Sequence, residues 1–239
     1  MTPRGVLIDK DGTLIDCDAT WGPVILHLAE ELGGAERAEA MAEAAGLDTA
    51  TGRLRAGSVF AAGSTRDLVA LWWPDVDAAR GLELARHIDT TCARMGPITS
   101  APLFALEPFF RELERRGLAY GIATNDSLVS ARAFLETKGL APLVPHVFGY
   151  DSVARPKPGP DMVHAFCDAA RLTPDCVAVV GDNVHDLEMA RAAGAGWAIA
   201  VLSGNGGLAD LEPLADVVLA SIEALPDWID AGCPAGVWG

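Results

Sequence analysis

One recurring unit constrains this chain more than any other feature. A short apolar run is halted by a polar cluster and followed by residues at helical spacing. Val6-Leu7-Ile8 runs into Asp9-Lys10-Asp11-Gly12, and apolar runs return at Ala119–Ala123, Val147-Phe148, Cys176–Val180, Ala198–Leu202 and Val217–Leu219. Runs this short and this apolar suit strands buried on both faces. Between them, Pro108–Arg116, Leu128–Lys138, Pro160–Arg171 and Leu187–Ala193 read as helices, and a last helix extends through Ile229. Gly117 and Gly139 close the first two, as glycine commonly does at a helix end. Strands alternating with helices over short connections predict an α/β fold: a Rossmann-like parallel sheet core with helices on both faces. Ligands of such sheets bind at the carboxyl ends of the strands, so the polar residues following each run are the ones to inspect.

The alternation is broken from Trp21 to about Arg94. Ile25, Leu28, Ala29 and Leu32 recur at helical spacing, as do Leu68, Leu71 and Trp72, and then Leu82, Ala85 and Ile88. Gly52, Gly57 and Gly63 interrupt the pattern, and no strand is expected within the block. It reads as a small all-α domain of about eighty residues inserted after the first strand. The expected division is therefore an α/β core of residues 1–16 and 98–239, with a helical cap of residues 17–97. The tail from Cys233 to Gly239 reads as loose.

Charge limits the partners. With 33 acidic and 18 basic residues among 239, the chain carries a formal net charge of −15. Nucleic acid and anionic membrane surfaces normally select a basic face, so neither is expected as a partner. The five cysteines are scattered, with no CxxC pair, as in a reduced cytoplasmic protein, and no membrane-length apolar run occurs.

The strand ends nevertheless suggest an anionic substrate. The first strand delivers Asp9 and Asp11, then Gly12 and Thr13. The next delivers Thr124, Asn125 and Asp126. Lys157 precedes the helix that begins near Pro160, and Cys176–Val180 leads to Gly181, Asp182, Asn183 and Asp186. Carboxylates gathered at one edge repel unless a cation lies among them. Hard oxygen ligands suit Mg²⁺, and a threonine hydroxyl with a lysine ammonium suits phosphate oxygens. An ionised Asp can attack phosphorus, and a second can exchange a proton with the leaving oxygen and with water.

These residues carry a resemblance. Asp9-Lys10-Asp11-Gly12-Thr13-Leu14 resembles the first motif of the haloacid dehalogenase superfamily phosphatases. Thr124-Asn125-Asp126 is similar to the second, Lys157 in Lys-Pro-Gly-Pro-Asp to the third, and Gly181-Asp182-Asn183-Val184-His185-Asp186 to the fourth. The helical block stands where the phosphoglycolate-phosphatase-like subgroup carries its cap. The resemblance implies Asp9 as nucleophile and Mg²⁺ ligand. It implies Asp11 as general acid/base, giving its backbone carbonyl to the metal, and Asp182 as the third protein ligand with Asp186 supporting it. Thr124 and Lys157 would bind the phosphoryl group, with Asn125 at the mouth of the site. Lys10, between the two Asp, and Asn183, after Asp182, depart from the commoner residues of the pattern.

The implied activity is an Mg²⁺-dependent phosphatase acting on a small phosphorylated metabolite, phosphoglycolate being representative, through an aspartyl-phosphate. A phosphomutase of the same fold and a non-catalytic, aspartate-phosphorylated receiver-type module are the alternatives. Dehalogenation is disfavoured because Asp11 is present, and Schiff-base phosphonate cleavage because the helical block holds no lysine. Lysine is rare here, found only at positions 10, 138 and 157, which marks Lys157 further. Within the block, Trp21 is a candidate for enclosing substrate. The glycine-rich loop reads either as a solvated connection or as the carrier of Arg53 or Arg55 to a second anionic group of the substrate. His185 reads as a surface residue at a helix start, and Cys17 as an inert filler.

Overall fold

The computed structural model describes residues 2–238. The chain begins with β1 (Gly5–Ile8) and then enters a helical insert. The insert comprises α1 (Cys17–Gly33), α2 (Ala35–Ala45), β2 (Leu47–Asp48), β3 (Arg53–Leu54), α3 (Val59–Ala62), α4 (Thr65–Trp72) and α5 (Ala78–Thr99). The remainder alternates: α6 (Leu106–Arg115), β4 (Ala119–Ala123), α7 (Leu128–Thr137), β5 (His146–Phe148), α8 (Asp161–Ala170), β6 (Val177–Gly181), α9 (Val184–Ala193), β7 (Trp197–Val201), α10 (Leu208–Leu211), β8 (Val217–Leu219), α11 (Leu225–Asp230) and β9 (Gly236–Trp238). Among the described residues no helix is long and apolar enough to cross a membrane.

The fold is the expected α/β architecture. Seven parallel strands lie in the order β5-β4-β1-β6-β7-β8-β9. Residues alternate between faces at the strand period of two. Val6 and Ile8 of β1, Ala178 and Val180 of β6, and Ile199 and Val201 of β7 join one buried cluster with Phe110 and Leu113 of α6, Phe134 of α7 and Trp228 of α11. Leu7, Val177, Val179, Ala198 and Ala200 face the other side, against Met162 and Phe166 of α8 and Leu187 and Ala190 of α9. Both faces are covered, which explains why the strands read as unbroken apolar runs.

The insert has an apolar cluster of its own, built from Val24, Ile25 and Leu28 of α1, Leu68 and Trp72 of α4 and Ile88 of α5. Asp16 caps α1 and Asp77 caps α5 by accepting from Ala19 N and Arg80 N. Ser64 and Asp67 form a reciprocal capping box on α4. α5 continues to Thr99, two residues beyond the boundary expected at 97.

Two local expectations are corrected. The insert does contain strands: β2 and β3 form a two-residue antiparallel pair, too short for a periodicity to betray. The tail is not loose over its described part, because β9 adds in parallel to β8 at the sheet edge. Trp228 Nε1 also donates to Pro234 O at 2.8 Å, tying the segment down.

Candidate active site

Strand order explains why residues distant in sequence meet. β1 lies between β4 and β6, so the loops leaving the carboxyl ends of all three are neighbours. Asp9 N donates to Val180 O at 2.8 Å, extending the β1–β6 ladder to the first aspartate. Gly12 turns the chain at φ +85, and a Cβ there would collide with the Asp182 carboxylate, so glycine is required twice over. Asn183 and Asp186 form a capping box on α9, which sets Asp186 in its first turn facing the strand ends.

Two buried clusters result. In the first, Asp9, Asp182 and Asp186 each place a carboxylate oxygen within 4.8 Å of the others. Lys157 Nζ lies 2.5 Å from Asp9 Oδ1 and 2.5 Å from Asp186 Oδ1. Asn205 N donates to Asp182 Oδ2 at 2.9 Å. Burial raises the Asp9 pKa; Lys157 opposes that rise, while Asp186 and Asp11 add to it. Asp182 is raised well above the ordinary carboxylate range by burial and by Asp9 and Asp186. Burial pulls the Lys157 pKa down, but its two carboxylate partners more than compensate, and it stays charged. Three buried acids against one ammonium leave an excess of negative charge. Oxygen donors so close suit a hard divalent cation, so the residues present fit a metal of the Mg²⁺ type.

The second cluster surrounds Asp11. Its Oδ1 accepts from Lys10 Nζ at 2.8 Å and from Trp21 Nε1 at 2.6 Å, and its Oδ2 from Thr124 Oγ1 at 3.2 Å. Lys10, only 1% exposed, also reaches Asp126 Oδ2 at 3.1 Å and lies 4.8 Å from the centre of the Trp21 ring. Desolvation works against its charge, yet Asp11 and Asp126 hold its pKa above the ordinary lysine range. The Asp11 carboxylate is thus held by Lys10, Trp21 and Thr124 and is not among the three clustered acids, and the metal role that the resemblance implies for Asp11 falls to its backbone carbonyl.

The insert closes the other side of the cleft. Its wall is made of Trp21, Val59, Phe60, Leu68, Ile88 and Cys92, with Trp21 and Phe60 packed at 5.8 Å between ring centres. Asn125 Nδ2 donates to Ala62 O at 2.9 Å and to Lys157 O at 3.1 Å, joining the insert to the core. His185 Nδ1 lies 3.2 Å from the same Ala62 oxygen. A second bridge joins Asp89 of α5 to the Tyr150 hydroxyl at 2.8 Å and to Thr65 Oγ1 at 2.7 Å. Burial, offset in part by these two hydroxyls, pushes Asp89 up to about 6.

Asp9, Asp11, Trp21, Thr124, Asn125, Lys157, Asp182 and Asp186 all line this cleft. Arg53 and Arg55 do not. Arg55 Nη1 bonds Glu43 Oε2 at 2.9 Å, and Arg53 is exposed with Nε 3.6 Å from Asp18. Both arginines lie beside acids of the insert itself, so of the two readings of this loop the solvated connection is the one that fits. His185 is also corrected: it is half-buried and lines the cleft. Cys17 is buried and its thiol pKa is raised, chiefly by that burial, which suits an inert filler.

Four contributors are not identified as such by the sequence. Lys10 registered only as a departure from a pattern. Ser203 and Asn205 follow the apolar run Ala198–Leu202 and obey the same strand-end rule: Ser203 Oγ donates to Gly12 O at 2.8 Å, and Asn205 holds Asp182. Ala62 contributes through its backbone carbonyl, for which no residue type is a signal.

Comparison with known proteins agrees with this geometry. Residues 3–194 match the family model described as haloacid dehalogenase-like hydrolase. A phosphoglycolate phosphatase of Rhodospirillum rubrum is 30% identical over 98% of this chain and 94% of its own length. An N-acetylmuramic acid 6-phosphate phosphatase of Pseudomonas aeruginosa is 27% identical over 81% of this chain and 80% of its own. The crystal structure of a haloacid dehalogenase-like hydrolase from Bacteroides fragilis superposes with a TM-score of 0.73 at 17% identity, covering 93% of this chain and 99% of that one.

Proposed function

Because the chain belongs to the haloacid dehalogenase-like hydrolase family, we propose that it is a Mg²⁺-dependent phosphatase of small organic phosphate monoesters. The observation that carries this reading is the excess of buried carboxylate at Asp9, Asp182 and Asp186 beside a single ammonium, Lys157. Phosphatase names among relatives about 30% identical support it; they divide between phosphoglycolate and N-acetylmuramic acid 6-phosphate.

The roles follow from position. Asp9 and Asp182 would hold the cation, with Asp186 supporting and the Asp11 backbone carbonyl completing the protein's share. When bound, the metal neutralises charge on the carboxylates and on the transferring phosphoryl group. Lys157 and Thr124 hold phosphoryl oxygens, and Asn125 stands at the mouth. Asp9 attacks phosphorus; the ester oxygen departs with its electron pair and takes a proton from Asp11, leaving an aspartyl-phosphate. Asp11, now ionised, takes a proton from water, whose oxygen attacks phosphorus and releases phosphate and the free Asp9 carboxylate. Lys10, Trp21 and Thr124 keep the Asp11 carboxylate aimed through both halves of the cycle. Residues 17–97 act as a cap that excludes bulk water when its bridges to the core through Ala62 and Asp89 are made.

The test is phosphate release from a panel of monoesters with Mg²⁺ and with a chelator. Turnover in Mg²⁺ that the chelator abolishes is expected. Chelator-resistant turnover, or none on any ester, would contradict the reading.

A further inference from the structure

The cleft has two unlike walls, and together they limit the alcohol that can leave. None of the lining residues contributed by the insert is charged; Trp21, Phe60, Leu68 and Ile88 are its large members. The insert's nearby arginines are engaged elsewhere: Arg55 on Glu43, Arg53 beside Asp18, and Arg66 over the Tyr150 ring at 5.4 Å. The core wall offers acceptors. Asn125 spends both hydrogens of Nδ2 on carbonyl oxygens, which fixes its amide orientation and leaves Oδ1 buried with no partner. His185 must carry its hydrogen on Nδ1 to bond Ala62 O, so in the neutral ring Nε2 is an acceptor. The lysine that lines the cleft, Lys157, is already committed to Asp9 and Asp186.

A carboxylate on the leaving group would therefore enter near five aspartates, with no arginine lining the space, its lysine already paired, and only neutral donors such as Asn183 Nδ2 to meet it. A hydroxyl or other donor would meet the unpaired Asn125 Oδ1, and an apolar surface would lie against Trp21 and Phe60. Building on the phosphatase reading, we propose that the substrate is the phosphate monoester of an uncharged alcohol, with a hydrogen-bond donor facing Asn125 and an apolar face against Trp21 and Phe60.

The deciding comparison is between 2-hydroxyethyl phosphate and phosphoglycolate, near-isosteres that differ in a neutral hydroxymethyl against a carboxylate, with benzyl phosphate as the apolar probe. Phosphate release with Mg²⁺ should give the two neutral esters a kcat/KM about tenfold or more above that of phosphoglycolate, since an unpaired buried charge is penalised at least that much. The variant Phe60→Arg, which places a cation on the apolar wall, should raise phosphoglycolate relative to 2-hydroxyethyl phosphate. Equal rates on the near-isosteric pair, or a preference for phosphoglycolate in the unaltered protein, would overturn the substrate class and leave the phosphatase reading standing. Hydrolysis of none of the three beside turnover of other esters would overturn this proposal alone, and turnover of no ester in the wider panel would overturn the phosphatase reading with it.

Discussion

Two buried lysines stand at the same sheet edge, and each bridges a pair of carboxylates, yet their surroundings differ. Lys157 touches Asp9 and Asp186 but leaves a third buried acid, Asp182, without a cation. Lys10 touches Asp11 and Asp126, and there Trp21 and Thr124 supply further donors to Asp11. The first cluster is short of positive charge; the second is close to satisfied. A deficit at a buried site is where an ion or a charged substrate can gain most, whereas a satisfied network holds a geometry. On the proposed phosphatase reading, the contrast fits binding and chemistry on the Lys157 side, and alignment of a proton carrier on the Lys10 side.

Changes to each side should have distinct signatures. Lys157→Met removes the only ammonium among three acids and should lower kcat/KM by roughly 10³ on every ester, following the cost of deleting a charge-stabilising donor. Steady-state phosphate release would show it, and a loss confined to some esters would blur the distinction. Lys10→Met should separate substrates instead. Turnover of an alkyl phosphate, whose poor leaving group needs the Asp11 proton, should fall about 10²-fold, the lower range of a general-acid contribution. Turnover of p-nitrophenyl phosphate should change little, whereas equal losses on both would show that Lys10 serves only the fold. Chemical denaturation should also find this variant destabilised by about 3–5 kcal/mol, because two buried carboxylates lose their partner.

Trp21→Phe is the milder probe of the same side. It keeps the apolar wall but deletes the 2.6 Å bond to Asp11, and it should cost about tenfold on the alkyl phosphate, the worth of one hydrogen bond to a charged group. The smallest effect is expected at the cap bridge. Asp89 is raised to about 6 in the folded state against an ordinary 3.8. The folded protein then binds more protons than the unfolded chain between those values, so this residue makes stability fall as pH rises from about 4 to about 6. Asp89→Asn should flatten that part of the pH–stability curve, read as the difference in urea midpoint between the two proteins. An unchanged profile would remove Asp89 as its source.

How much of this was legible in the sequence depended on chemistry at a strand end. Asp9, Asp11, Thr124 and Asp182 could be found because a buried parallel strand must stop before a charged residue, and the stop is visible. Lys157 could be found through its motif in a lysine-poor chain. Lys10 was visible as a residue but not as a partner, since its ion pair with Asp126 joins the ends of two different strands. The cap was hidden for another reason. α3 has four residues, the β2–β3 pair two on each strand, and the contact that closes the cleft is the Ala62 carbonyl, present whatever the side chain. Arg53 and Arg55 looked free to reach an anion because the sequence does not display that Glu43 and Asp18 fold back beside them.

The central claim is that Asp9 forms a covalent bond to phosphorus during turnover. Acid quench of the protein during steady turnover of an alkyl phosphate with Mg²⁺, followed by peptide mass analysis, tests it most directly. A phosphoryl group on Asp9, absent from Asp9→Asn along with phosphate release, is the predicted result. Phosphate release that persists in Asp9→Asn would contradict the account.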